Sequence, residues 1–476
     1  MIWLLLLCII FISQAGMILI LEFRSPSKAV AWMFISYCVP FLGFIMYYFV
    51  ARNYRSRRTI RKKGTIIFRE VRSRLWRQAA VIRSADDMGN PEFHEQGRLF
   101  SLLSHLTENP ITSCSKIEVL TDGENTFGAM LKALEQAQHH IHIQFYIFRE
   151  DEIGQKFTDL LIAKAQAGVK VRMMCDGLGS YHLKHTFVRR LKEAGIEFYF
   201  FLPPFTSFIQ REVNYRNHRK ILVIDGEVGF IGGLNIGDDY LGRDPKLGYW
   251  RDTHLEVRGD TVYFLQIVFL EDWEFASGQR LTDSAYFPAH TCTGSERALI
   301  VASGPDRNWN AIQEMCFSAL AAAKRRICIT TPYFIPDQSI YSALKTAAVS
   351  GVEVDIIIPK VSDSQIVQYA SLSYIEELMR VGVRIHQYEK GFVHAKVVIV
   401  DDLLASVGTA NMDMRSLYSN FELSAVLFEQ ETIERLMVDF RRDLQESSKI
   451  NYHEFIRRPR TQKTLETLSR LLSPLL

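Results

Sequence analysis

The chain has 476 residues, with 56 Lys and Arg against 53 Asp and Glu, and 48% of it is apolar. That length allows two or three packed domains, and that apolar content excludes a disordered chain. Charge is unevenly spread: the first 83 residues hold fourteen basic and two acidic residues, which leaves 42 basic and 51 acidic in the remainder. An acidic main part argues against a nuclease, which usually offers a net basic face to its polyanion, although a cleft can still be locally positive.

Residues 2–21 and 29–50 are each nearly all apolar, with Pro40 inside the second stretch. Each reaches the roughly 20 residues a helix needs to cross a bilayer. The first lacks the basic start and small-residue cleavage site of a signal peptide, and another apolar stretch follows at once. A two-helix transmembrane hairpin is therefore expected over 1–50. Its loop carries Arg24 and Lys28 against Glu22, and the second stretch is followed by Arg52, Arg55, Arg57, Arg58, Arg61, Lys62 and Lys63. The positive-inside rule places that cluster, both termini and the catalytic part in the cytoplasm. Seven cysteines, an odd number with no CxxC pair, suggest no disulfide framework and no zinc site.

A juxtamembrane segment and connector follow over 51–110. Ile67, Val71, Leu75, Ala79 and Ile82 recur near helical spacing among Arg69, Arg72, Arg74, Arg77 and Arg83. This basic amphipathic helix either lies on an anionic membrane surface or packs on the domain that follows. Residues 84–110 read as a connector with Asn90-Pro91 and Asn109-Pro110 as breakers.

Two similar halves are expected over 111–290 and 291–476. In the first, strands are predicted at 116–120, 141–148, 169–175 and 196–201, and helices at 125–139, 155–168 and 186–195. In the second, helices at 311–324, 339–351 and 371–382 alternate with strands at 327–331, 352–358 and 383–388. Gly168 and Gly351, then Gly195 and Gly382, close equivalent helices, as Gly does just past a helix end. Alternating strands and helices predict an α/β fold with helices flanking sheets. The halves differ in an aromatic-rich stretch, 198–208, read either as an apolar lip for acyl chains, with Phe205 and Phe208 at its tip, or as a strand end in the core.

Each half then carries the same motif. His218, Lys220 and Asp225 are followed by Gly232-Gly233-Leu234-Asn235; His394, Lys396 and Asp401 by Gly408-Thr409-Ala410-Asn411. The internal spacing is identical, and the four residues between Lys and Asp are apolar, as in a buried strand. Side chains two apart on a strand share a face, so each His sits beside its Lys. Each Asp has the opposite parity and is expected to hold the following turn. Asn235 and Asn411 follow a Gly-containing turn that folds back toward the His–Lys face. Two Lys and two Asn can hold the oxygens of a phosphodiester and its transition state without a metal. One His can attack phosphorus while the other protonates the leaving alcohol and deprotonates the incoming one.

These motifs resemble the two HKD motifs of the phospholipase D superfamily, whose catalytic set would here be His218, Lys220, Asp225, His394, Lys396 and Asp401. Further stretches are similar to bacterial cardiolipin synthases: Thr121-Asp122-Gly123, residues 249–254, 329–337 and 391–396, and the terminal 470–476. The resemblance implies two pseudo-symmetric α/β/α halves with the active site between them, behind the membrane hairpin. It implies transfer of a phosphatidyl group from one phosphatidylglycerol to another through a phosphatidyl-histidine, giving cardiolipin and glycerol with no cofactor or metal. His218, in the first motif, would be the nucleophile. A carboxylate on the far nitrogen of each His fixes its tautomer, and Glu422 and Asp252 are the candidates. Thr409 stands where many relatives carry Ser in the second motif, and Gly233 stands at that place in the first. Hydrolysis by water, or serine or ethanolamine as acceptor, would use the same chemistry. A scaffold that only binds anionic lipid is the non-enzymatic alternative, against which the intact motifs argue. Partners are thus anionic membrane lipids, phosphatidylglycerol first, and no nucleic acid.

Overall fold

The computed structural model describes residues 2–22, 26–47, 67–203, 214–292, 294–307 and 309–476. Strands of the first half are β1 (Thr112–Thr121), β2 (His140–Phe145), β3 (Lys170–Asp176), β4 (Glu197–Phe201), β5 (Ile221–Ile224), β6 (Val228–Gly232), β7 (Tyr249–Arg251) and β8 (Thr253–Gly259). Those of the second are β9 (Glu296–Ser303), β10 (Arg326–Thr330), β11 (Phe334–Ile335), β12 (Glu353–Pro359), β13 (Arg384–Tyr388), β14 (Gly391–Val393), β15 (Val397–Val400), β16 (Leu404–Gly408), β17 (Met412–Asp413), β18 (Glu422–Leu427) and β19 (Ser447–Lys449).

Fifteen of these form one sheet, joined at its centre by antiparallel pairing of β1 with β9. Outward from that seam the first half runs β1-β8-β6-β5-β2-β3-β4 and the second β9-β18-β16-β15-β10-β12-β13, with β19 beyond. The two orders match strand for strand. The motif strands β5 and β15 are buried along their whole length, which explains their unbroken apolar runs. A long helix of each half, Thr261–Ser277 and Gln430–Gln445, touches the seam strand of the other half, β9 and β1 respectively. The expected helices and strands are present with ends moved by a few residues. Gly168, Gly195, Gly351 and Gly382 take positive φ just past equivalent helices.

Two expectations change, and two readings left open are decided in whole or in part. The segment expected as a connector is packed structure: Asn90 caps a turn at Pro91–His94, and Phe93, Leu99, Phe100 and Leu103 are buried in the core of the second half. The basic helix, Ile67–Gln78, packs on the catalytic part. Phe68, Val71 and Leu75 join the core that contains Thr261–Ser277, and Arg72 pairs with Glu108 and Glu271, each at 2.7 Å. Cys114 of β1 and Cys292 are joined as a disulfide with their Cα atoms 5.3 Å apart, where no pairing was expected. In the aromatic stretch, Phe198 and Phe201 are buried core, as a strand end would be; Phe205 and Phe208 lie outside the described residues.

The N-terminal residues form the helices Ile2–Leu21, Pro26–Cys38 and Pro40–Met46. The second apolar stretch is therefore interrupted at Pro40, which lacks the N–H that a continuous helix needs; the neighbouring bonds Val39 N–Ile35 O and Gly43 N–Val39 O persist. Among the described residues no helix is long and apolar enough to cross a membrane; most side chains in the first half of Ile2–Leu21 lie outside that set. The basic cluster at 52–63 also lies outside it. Ile18, Ala29, Trp32 and Tyr47 pack together and receive Leu475 from the C-terminal segment.

Candidate active site

Each His–Lys pair sits on the extended segment that enters a motif strand, and each segment is tied to the opposite half. His218 N donates to Phe421 O at 2.9 Å, and His394 N donates to Arg251 O at 2.7 Å. This brings the two motifs together at the seam. The carboxylates are exchanged in the same way. His218 Nδ1 lies 3.0 Å from Glu422 of the second half, and His394 Nδ1 lies 2.8 Å from Asp252 of the first. A carboxylate only accepts, so Nδ1 facing an acid carries the proton and Nε2 is left with its lone pair; His394 Nδ1 also has Lys396 Nζ at 2.9 Å, but that ammonium already donates to His394 O. Neither Nε2 has a hydrogen-bond partner among the described residues. Glu422 and Asp252 occupy equivalent places: Thr409 N donates to Leu423 O and Gly233 N to Thr253 O, one residue beyond each carboxylate.

Lys220 Nζ donates to His218 O at 2.8 Å and Lys396 Nζ to His394 O at 2.5 Å. Burial pushes Lys220 down to about 7 and Lys396 to about 8, against the pull of Glu422 and Asp252. Burial likewise lowers His218, and takes His394 to about 3 with Lys396 adding to the effect. Burial works against the charge on Asp252 and Glu422 too, but their His and Lys partners outweigh it and hold both below their ordinary values. The site thus sets two buried lysines against two buried carboxylates, with little water to screen any of them. A bound anionic phosphodiester would offset the two lysines and make protonation of one imidazole easier.

The Asp residues lie away from this cleft. Asp225 takes φ 55° and accepts from the N–H groups of Gln138, His139 and His140, each at 2.8 Å. Asp401 takes φ 52° and accepts from Lys324, Arg325 and Arg326 at 2.7–2.9 Å. Both hold a turn, as the strand parity predicted, and their place in a catalytic set is corrected accordingly. Thr409 is a second correction. Its hydroxyl donates to Glu422 at 2.5 Å and accepts from Leu423 N, so it braces a carboxylate rather than meeting substrate. At Gly233, the matching place, a Cβ would stand 2.1 Å from Asp252 Oδ1; Gly lets that carboxylate reach His394. Asn235 accepts from Ile147 N and donates to Tyr240, and Asn411 donates to Asp413. Each amide nitrogen keeps a second proton for a ligand.

Residue patterns alone missed several participants. Arg219, between His218 and Lys220, is fully buried and donates to Asp272, Glu422 O and Ser303 O. Asp272 also accepts from Asn217 and Gln144. The available signal was an Arg between the two motif residues at the mouth of a buried strand, since a buried Arg demands a buried acid. Tyr146 stands edge-on to His218 and Trp250 is tilted against His394, each with ring centroids 5.0 Å apart. His254, beside this network on β8, has both ring nitrogens buried without a hydrogen-bond partner among the described residues, and burial lowers it to about 3.

The family model for the cardiolipin synthase, PLD-like domain matches residues 130–246 and 316–444. The cardiolipin synthase of Alkalihalophilus pseudofirmus is 43% identical over 472 residues, 99% of this chain and 92% of that one. The chain belongs to the cardiolipin synthase family. A second relative in that family, from Geobacillus thermodenitrificans, is 44% identical over 96% of this chain and 90% of its own. Residues 1–52 match the model named phospholipase D-nuclease N-terminal. Among solved structures, the phosphatidylserine synthase of Haemophilus influenzae superposes with a TM-score of 0.63 over 80% of this chain and 100% of that one, at 16% identity. At that identity the likeness is one of fold.

Proposed function

We propose that the protein makes cardiolipin and glycerol from two molecules of phosphatidylglycerol, with His218, Lys220, His394 and Lys396 as its reacting set. The observation that carries this reading is the exchange of carboxylates. Each His has its Nδ1 held by an acid from the other half, which in this reading leaves both Nε2 atoms to serve one phosphodiester. His218 Nε2 attacks phosphorus and forms the N–P bond as the glycerol oxygen leaves with a proton from His394. The second phosphatidylglycerol then gives its hydroxyl proton to His394, and its oxygen displaces His218 from phosphorus. Lys220, Lys396 and the free amide protons of Asn235 and Asn411 hold the non-bridging oxygens. One phosphodiester replaces another, so the cycle needs no nucleotide.

In the same reading, residues 1–50 form a two-span hairpin in the cell membrane, 51–110 link it to the enzyme, and 111–290 and 291–476 are the two catalytic halves in the cytoplasm. The apolar sequence of 2–21 and 29–50 and the basic cluster after it support that arrangement. The test is incubation of the reconstituted full chain with phosphatidylglycerol alone, with chelator present. Cardiolipin and glycerol in equal amounts are expected. Phosphatidic acid instead would make the protein a hydrolase, and no product from phosphatidylglycerol would overturn the reading.

A further inference from the structure

The loops that follow β3 and β12 occupy equivalent places in the two halves and flank the site. A Ser hydroxyl accepts from the backbone N–H of a Phe beside each: Phe148 N donates to Ser180 Oγ of the first loop at 3.0 Å, and Phe334 N to Ser371 Oγ, on the helix Gln365–Arg380 that follows the second, at 3.2 Å. The first loop is fixed to the machinery. Asp176 accepts from Leu178 N and Gly179 N and also from Asn217 N, the residue before His218. A Cβ on Gly179 would collide with Tyr146, the ring beside His218. The second loop is near enough for Asp363 to act on the Lys396 charge, and Asp363 accepts from Tyr333.

Both loops present large apolar side chains to solvent. Leu178 is 42% and Tyr181 65% exposed on the first; Val361 is 47% and Ile366 50% exposed on and just after the second. Two rigidly held apolar tips on equivalent loops beside one cleft are not scattered surface hydrophobics. The apolar N-terminal helices reach the same region. Asp413, bonded to Asn411, caps the turn at Met414–Tyr418; Arg415 N donates to Leu476 O; and Leu475 packs with Ile18, Trp32 and Tyr47. Exposed Lys184, His182 and His185 follow the first tip, which suits an anionic surface.

We propose that the rim of the cleft docks on the bilayer itself, with Leu178–Tyr181 and Val361–Ile366 as two wedges set into the interfacial region of anionic lipid. This rests on the reading of the substrate as a phospholipid. Docking would let the headgroup phosphate reach the histidines while the acyl chains stay in the membrane, and the two-fold relation would serve donor and acceptor lipids from opposite sides. Tyr suits such a depth, with an apolar body and a polar tip.

The test uses the full chain. The double variants Leu178→Ser/Tyr181→Ser and Val361→Ser/Ile366→Ser should each lower kcat/KM on phosphatidylglycerol vesicles at least tenfold. Both should stay within about twofold of the parent on short-chain phosphatidylglycerol dissolved below its micelle concentration. In parallel, benzoylphenylalanine placed at 181 or 361 in an otherwise unchanged chain should photo-crosslink to labelled phosphatidylglycerol in the membrane. Val349 is the control, since it is 72% exposed but ends the helix Gln338–Val349 just before β12 begins, at the opposite end of that strand from Val361. Equal losses on both substrates, or crosslinking at 349 as strong as at 181 and 361, would overturn the docking. A parent chain inactive on both substrates would instead overturn the phospholipid reading on which it rests.

Discussion

Replacing Glu422 with Gln keeps the shape of the side chain and removes its charge. The carboxylate accepts from three donors: His218 Nδ1 at 3.0 Å, Thr409 Oγ1 at 2.5 Å and Asn420 Nδ2 at 3.1 Å. An amide has one accepting oxygen and one donating nitrogen. If its oxygen faces His218 and Thr409, its nitrogen confronts Asn420. If it turns over, its nitrogen confronts His218 Nδ1, which must then accept, and the proton moves to the Nε2 needed for attack. Losing a charge-assisted hydrogen bond costs about 1.5–3 kcal/mol, or roughly 10- to 150-fold at 1.36 kcal/mol per decade. Inverting the tautomer raises the loss toward about 10⁴-fold. The expected result is a kcat lowered by about 10²–10⁴ with KM changed by less than about threefold, because Glu422 is wholly buried and meets no substrate. Thr409→Val removes one neutral donor to the same acid, worth about 1 kcal/mol, and should cost about fivefold. Initial rates of cardiolipin formation from labelled phosphatidylglycerol measure both. A Glu422→Gln enzyme within about threefold of the parent, or one affected only in KM, would refute the orienting role.

Three further outcomes follow from the same geometry. Lys220 and Lys396 are charged below about 7 and about 8 and neutral above, so kcat/KM should fall on the alkaline side from that range; a profile flat to about pH 9.5 would remove the lysines from phosphate binding. Asp225→Ala leaves three backbone N–H groups without an acceptor and should lower unfolding stability by about 2–4 kcal/mol while kcat of the folded enzyme stays within about threefold; a large loss of kcat at unchanged Tm would make the Asp catalytic after all. The Cys114–Cys292 bond and a cytoplasmic catalytic part make opposite demands, because cytosolic thiols are kept reduced. On the proposed orientation, maleimide added to acid-quenched cells labels Cys292; labelling only after reductant would place that part outside.

The duplicated motif, the strand parity that turns Asp225 and Asp401 away, and the alternation of strands and helices are all local, and all were legible in the sequence. The exchange of carboxylates was not, because Glu422 is 204 residues from His218 and Asp252 is 142 from His394. Seventeen residues separate Asn235 from Asp252 but eleven separate Asn411 from Glu422, so chain spacing hid their equivalence. Thr409 was legible as a hydroxyl in the right motif, but only packing reveals that it faces Glu422. The helix Ile67–Gln78 shows the limit of amphipathicity: its apolar face demanded a cover, and the periodicity could not say whether lipid or the helix Thr261–Ser277 supplied it.

The exchange also bears on how such a chain could arise. A single half holds a His whose orienting acid lies in the other half, so one copy alone would be inert however well it folded. An ancestor with one motif per chain would have worked only as a face-to-face pair, each copy lending its acid to its twin. Joining the genes would have made that loan permanent and then let the lenders diverge, until one gave Asp beside Gly233 and the other Glu beside Thr409.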